Sequence, residues 1–358
     1  MKITDYDHRQ TNIAKGVALL MLLWHHLFYN NPDTFNRFIS LWVVNGTAYN
    51  TPIESYLADF CKVCVAVFLL LSGFGLFKSY RSWQRNLNCP QMTLKEDAQF
   101  VWHHLSKLFL DYWYIYIIFV PLGLIFNKPL NLVYEENLLY GIVDFLGLSH
   151  IFVTPTMNAT WWFMGIIIVY YLLFPVLMKI VNYSAELFIA LCILFHFSTF
   201  LPEFQHVRTY LLPFAVGMYL AKYNWLERIK NAHTSVAKSA ILCIVLILGA
   251  IIVRYYNGHK TTYDAFFAFA VILFSYLLLS RVPLISTILQ ELGKYSGSIF
   301  MFHTFLYSYY FQKIVFSPRY SIVIFVLFTL ACYIIAKLLE YTKDSVKYRK
   351  LYPMLSRK

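Results

Sequence analysis

Ten runs of mostly apolar residues, each close to the roughly 20 positions a helix needs to cross a bilayer, alternate with short polar stretches along the chain. They lie near 13–30, 57–77, 105–126, 160–178, 186–201, 207–221, 236–255, 262–280, 293–312 and 320–340. The fifth and sixth are short, and only a few residues part them, among them Pro202 and Glu203. Residues 138–152 are also apolar but are interrupted by Asp144 and Gly147, as a re-entrant or interfacial segment would be. The pattern predicts an all-α polytopic membrane protein of about ten transmembrane helices. One transmembrane domain is expected over residues 1–342, followed by a short basic tail, 343–358. Linkers rich in Gly and Ser, low-complexity tracts and an appended soluble domain are not expected.

The polar stretches give the predicted bundle an orientation. With the N-terminus inside, 21 of the 30 Lys and Arg residues fall on the cytoplasmic side, seven fall outside, and Lys62 and Lys337 lie within spans. Cytoplasmic loops collect Lys and Arg, so both termini are expected in the cytoplasm. The net charge of +12 would suggest nucleic acid in a soluble chain. Here the membrane accounts for it, and no nucleic-acid partner is expected. Composition agrees with a membrane class. Residues are 59% hydrophobic, 19% aromatic and only 13% charged, and a water-facing surface requires far more charge. Cys61, Cys64, Cys89, Cys192, Cys243 and Cys332 are scattered, mostly within apolar runs, and show no disulfide framework. The first run lacks a small-residue cleavage site and reads as a retained helix.

Two spans carry chemistry. In the first, KGVALLMLLWHH places Lys15 at the cytoplasmic mouth and His26 eleven residues on, about 16 Å deeper by helical rise. In the ninth, LGKYSGSIFMFH sets Lys294 and His303 nine residues apart, about 13 Å by the same rise. A polar group at such depth costs a few kcal/mol and marks a functional site by default. A ligand with an anionic head and a thin reactive arm, such as acyl-coenzyme A, suits a cation at the mouth and an imidazole within. Histidine titrates near neutrality and is the usual general base for activating a hydroxyl. His25 is assigned instead to the outer interface.

These residues resemble the acyltransferase 3 family of integral membrane acyltransferases. NIAKGVALLMLLWHH resembles the family's first helix, with Lys15 and His26 in the signature. VAVFLLLSGFGLF resembles the second, with Ser72, Gly73 and Phe74. WWFMGIIIVYYLLFPVL matches a third stretch through Trp162, Phe163, Tyr170, Tyr171 and Pro175, and LGKYSGSIFMFH a fourth through Gly293, Lys294, Ser296 and His303. Two departures stand out: Asn12 where many members carry Asp, and Phe300 where many carry Tyr. Asn12 is expected to cap the first helix.

The resemblance implies transfer of an acyl group, most often acetyl, from acyl-coenzyme A to a hydroxyl of a cell-surface glycan or its lipid-linked precursor. His26 would be the base and Lys15 and Lys294 the coenzyme contacts, with acetyl-coenzyme A as co-substrate and no metal. The setting would be a bacterial inner or plasma membrane, among membrane lipids. Some relatives carry a fused extracellular domain, so a separate extracellular or glycan-assembly partner is also expected.

Other residues carry two readings. Ser72 is a substrate contact or, with Gly73, a site of close helix packing. Trp161 and Trp162 form an interfacial belt, or Trp162 offers a sugar platform. Arg254 beside Tyr255 and Tyr256 either binds the acceptor or anchors a helix end, and Lys62 either snorkels or meets acceptor. Lys78, Arg81 and Arg85 either set topology or gather coenzyme phosphates. His103 and His104 have no carboxylate or Cys at metal-ligand spacing. The competing functions are a transporter or flippase of a lipid-linked saccharide, which would also need a polar cavity, and a purely structural subunit, which leaves the buried imidazoles unexplained.

Overall fold

The structure, a computed structural model, describes residues 6–29, 35–44, 51–89, 91–126, 130–199, 204–233, 235–256, 261–348 and 351. Lys2, Lys128, Pro202, Glu203, Lys260 and most of the expected tail lie outside them.

The described chain is almost entirely helical. Its longer helices are α1 (His8–Phe28), α2 (Ile53–Cys61), α3 (Cys64–Asn86), α4 (Leu94–Phe119), α5 (Leu138–Phe145), α6 (Trp162–Tyr183) and α7 (Ala185–Phe197). They continue with α8 (Gln205–Lys222), α9 (Trp225–Ala232), α10 (Val236–Tyr256), α11 (Asp264–Leu277), α12 (Pro283–Lys294), α13 (Ser296–Thr304) and α14 (Ser321–Ser345). A two-residue hairpin, β1 (Val43–Val44) with β2 (Thr51–Pro52), precedes α2. Helix starts follow from local chemistry. Thr93 and Glu96 form a reciprocal capping box at α4. Asn137 caps α5 and Ser184 caps α7, each side chain accepting a backbone N–H of the first turn.

Six helical segments are long and apolar enough to cross a membrane: Ile53–Asn86, Leu94–Gly123, Ala159–Tyr183, Val236–Tyr256, Asp264–Arg281 and Ser321–Ser345. The chain is thus an all-α membrane protein. The other four expected spans fall on α1, α7, α8 and α12–α13, which are less apolar, shorter or interrupted, so length and composition support six crossings where the sequence pattern suggested ten. Burial separates the segments further. In Ile53–Asn86, 67% of the most apolar stretch is buried, against 17% in Val236–Tyr256. Ile241, Ile244, Val245, Leu248 and Ile252 of α10 are exposed, as suits a helix facing lipid.

The chain forms two compact units. Unit 1 comprises Met1–His25, Asp59–Gln91 and Val176–Ser296; unit 2 comprises His26–Ala58, Met92–Pro175 and Gly297–Lys358. In unit 1, glycine sets the packing. A Cβ on Gly73 would collide with the backbone carbonyl of Phe214, and one on Gly217 with that of Leu70. α3 and α8 therefore meet backbone to backbone, as small residues permit in membranes. In unit 2, buried polar groups do comparable work. Glu54 accepts from Ser40 Oγ (2.6 Å), Leu41 N (2.7 Å) and Ser321 Oγ (2.7 Å), tying the segment before α2 to the start of α14. Lys343, the first residue assigned to the tail, instead lies inside α14, buried against Asp111 (2.9 Å) and Glu340 (2.8 Å).

Candidate active site

Unit 2 brings two of the expected histidines together. His26, in the last turn of α1, and His303, at the end of α13, have ring centroids 4.9 Å apart with planes at 50°. His303 is fully buried and His26 half-buried. Tyr307 completes the group. Its hydroxyl lies 3.4 Å from His26 Nδ1, and its ring stacks on His303 at 6.0 Å.

Hydrogen bonding decides the His303 tautomer. Nδ1 lies 3.0 Å from the Ile299 carbonyl oxygen and 2.9 Å from that of Phe300. A carbonyl only accepts, so Nδ1 carries the proton and the neutral ring keeps its lone pair on Nε2.

His303 sits where the helix changes pitch. From Phe305 to Tyr310 the backbone is π-helical, a geometry found mostly as single turns and often at functional sites. The turn that bears His303 is held from outside. Trp161 Nε1 and Asn158 Nδ2 both donate to the Met301 carbonyl, at 2.9 and 3.1 Å. The hydroxyls of Thr160 and Thr304 are 3.2 Å apart.

The loop presenting Asn158 and Trp161 is itself fixed by Asp144. This buried carboxylate accepts from Tyr134 Oη (2.7 Å), Ser149 Oγ (2.9 Å), Thr156 Oγ1 (2.7 Å) and Met157 N (2.8 Å). Burial pushes its pKa up, and these hydrogen bonds pull it back. The segment expected to be re-entrant thus folds as α5, turns at Gly147 with φ of +69°, and supports the loop beneath His303.

Unit 1 carries the two lysines. A Cβ on Gly16 would collide with the Leu289 backbone, and one on Gly293 with that of Asn12, so α1 and α12 pack closely beside Lys15 and Lys294. Lys294 pairs with Glu291 at 2.6 Å on the surface. Two sequence expectations are corrected here. Asn12 is not the cap of α1: Asp7 is, accepting from Gln10 N at 3.0 Å, while the Asn12 backbone receives Gly293. Asp7 thus serves the helix end. Finally, Lys294 and His303 do not share a helix. α12 ends at Lys294 and α13 begins at Ser296, where a run of Gly and Ser offers little helix propensity.

The remaining candidates divide. Ser72 donates to the Phe68 carbonyl (2.8 Å), four residues back, and its neighbour Gly73 makes the close helix contact. Trp162 is half-buried, edge-on to His150 at 6.1 Å. Trp161, expected in the interfacial belt, is only 3% exposed and serves the Met301 carbonyl. Arg254 is neither an open acceptor contact nor an exposed anchor. It is 2% exposed, pairs with Asp264 (3.1 Å), donates to the Asp59 carbonyl (2.9 Å), and lies over Phe60 and Phe267. Burial in an apolar setting demands such a counter-charge.

Sequence reading missed Asn158, Thr160, Thr304 and Tyr307. Only Tyr307 had a local signal, since it follows His303 by four residues and so shares its helix face.

A protein-family model described as an acyltransferase domain matches residues 9–338, nearly the whole chain. Neither a curated protein nor a solved structure matches.

Proposed function

Because the chain belongs to the acyltransferase 3 family and is a membrane acyltransferase, we propose that it moves an acyl group, acetyl in the first instance, from acyl-coenzyme A to a hydroxyl of a cell-surface glycan or its lipid-linked precursor, in a bacterial inner or plasma membrane with both termini cytoplasmic. The observation that carries the chemistry is the His26–His303–Tyr307 group. Family membership favours transfer over the flippase alternative.

In this reading His26 Nδ1 donates to the Tyr307 oxygen, which leaves the Nε2 lone pair for substrate. Nε2 takes the proton of the acceptor hydroxyl as its oxygen attacks the thioester carbonyl. The tetrahedral intermediate collapses, the carbon–sulfur bond breaks, and the coenzyme thiolate leaves with the proton returned by the imidazolium. His303, its Nδ1 tied to the backbone, presents Nε2 to the same space and orients the acceptor. Trp162, within unit 2, is a further acceptor contact in this reading. Lys15 and Lys294 take coenzyme phosphates, and the Lys294 charge is shared with Glu291.

The test is thiol release from acetyl-coenzyme A by the purified detergent-solubilised protein, with and without a panel of glycan acceptors. Saturable, acceptor-dependent release is expected. Absence of both binding and release in a folded preparation would overturn the reading.

A further inference from the structure

An open cavity of about 880 Å³ lies within unit 1 at the end of α3, lined by Lys78, Arg81, Arg85, Cys89, Lys222 and Asn224 among others. Its size falls in the range of small-molecule sites. Four cations around one concavity have a bland explanation, since basic residues at a helix end set topology. Topology asks only that they be on the right side, however, and does not ask that they converge on a cavity or be held in place.

Three of the four are held here, and mostly by uncharged groups. Arg81 donates from one terminal nitrogen to Asn182 Oδ1 (2.7 Å) and from the other to Gln84 Oε1 (3.1 Å), with its guanidinium over the Phe77 ring. Lys222 donates to the Val181 carbonyl (2.7 Å). Lys78 donates to Asn224 Oδ1 (2.8 Å) and meets the Glu227 carboxylate at 3.5 Å, and the Glu186 carboxylate acts on Lys222 through space. Arg85 is exposed and makes no ion pair among the described residues. Hydrogen bonds to neutral oxygens fix a cation's position while leaving its charge uncompensated. Arg81 also retains guanidinium donors beyond the two it uses. The cavity is thus a preorganised, net-positive concavity, and fixed donors of that kind suit bidentate recognition of phosphate.

We propose that this cavity binds a negatively charged phosphate ester. The coenzyme end of an acyl thioester is of this class, and so is an anionic phospholipid headgroup. In its coenzyme form the inference rests on the donor assignment above and supplies what that assignment lacks. A coenzyme carries a pyrophosphate and a phosphomonoester, the latter alone about −1.5 to −2 at neutral pH. Lys15, together with a Lys294 already paired to Glu291, cannot balance that charge. Lys78, Arg81, Arg85 and Lys222 add four cations toward it, set against Glu227 and Glu186.

The test uses the full chain in phosphatidylcholine nanodiscs, with coenzyme A and 3′,5′-ADP as probes. Arg85→Glu removes no contact and is the first variant; Arg81→Gln with Arg85→Gln is the second. Both are expected to weaken both probes by roughly tenfold or more, the scale of a lost charge-assisted hydrogen bond, and wild-type affinity is expected to fall with added salt. A parallel arm measures phosphatidylglycerol retained on the protein by native mass spectrometry. If the variants lose the lipid about tenfold but keep the coenzyme, the phosphate-ester site stands with the headgroup as its source. If they keep both, the inference is overturned, whether or not transfer activity is present. A wild-type protein that binds no coenzyme would count against the donor assignment, and the lipid arm would then decide the cavity by itself.

Discussion

Unit 1 joins its helices through glycine laid against backbone carbonyls, and the groups proposed to work there are Lys and Arg. Unit 2 holds its helices with side-chain donors aimed at carbonyls and carboxylates, and the groups proposed to work there are imidazoles. Gly73, Gly217, Gly16 and Gly293 bring backbones together without a directional bond, an arrangement that tolerates no added methyl group. Trp161 and Asn158 on the Met301 carbonyl fix orientation as well as proximity. That is what a base needs, since proton transfer fails when the ring is misaligned, whereas a cation meeting a phosphate acts over a broad range of angles. The difference teaches that one chain can use loose-tolerance electrostatics in one unit and close geometric control in the other.

The largest expected effect belongs to unit 2. His26→Ala should lower acyl transfer by about 10²- to 10⁴-fold, the usual contribution of a general base, with thermal unfolding of the purified protein nearly unchanged. Normal transfer in that variant would remove catalysis from the imidazole group and erase the division of labour between the units. Next is Arg254→Met in unit 1. It strands Asp264 as a buried charge and should cost about 3–5 kcal/mol, read as a lowered melting temperature in detergent. The added change Asp264→Leu should recover much of the loss, and no recovery would mean that the pair is not what holds α10 to α11.

A sharper comparison lies four residues apart, on either side of the helix break. Gly293→Ala would drive a methyl into the Asn12 backbone and should cost about 1–3 kcal/mol. At Gly297 an added Cβ meets open space, so Gly297→Ala should be neutral or stabilising by up to about 1 kcal/mol through helix propensity. Equal melting temperatures for the two variants would show that glycine contacts do not set unit 1. The smallest effect is expected from Lys294→Ala. Its exposed pair with Glu291 is worth about 0–1 kcal/mol, so the melting temperature should be nearly unchanged while the donor KM rises. An unchanged KM would remove Lys294 from the phosphate contacts.

Much of this was legible in the linear pattern. Hydropathy and cation placement announced a helical membrane protein, and the four motif stretches announced the family. They also marked His26 and His303, because a deep imidazole is costly wherever it sits. Trp161 and Arg254 misled for one reason. An aromatic or a cation near a span end has the same local signature whether it faces the interface or the protein interior, and the partners that distinguish the cases, the Met301 carbonyl and Asp264, lie 140 and 10 residues away.

The sequence by itself determined the class, the order of the helices and the separation of Lys15 from His26, since hydropathy and helical rise are properties of neighbouring residues. α1 is unbroken from His8 to Phe28, and that separation holds. Only the tertiary structure decided that His26 meets His303 and Tyr307, that a break after Lys294 divides its helix from that of His303, and that the basic residues in the last turns of α3 line a cavity with Lys222. Each of these depends on which face of one helix lies against another, and that is settled by packing among residues far apart in the chain.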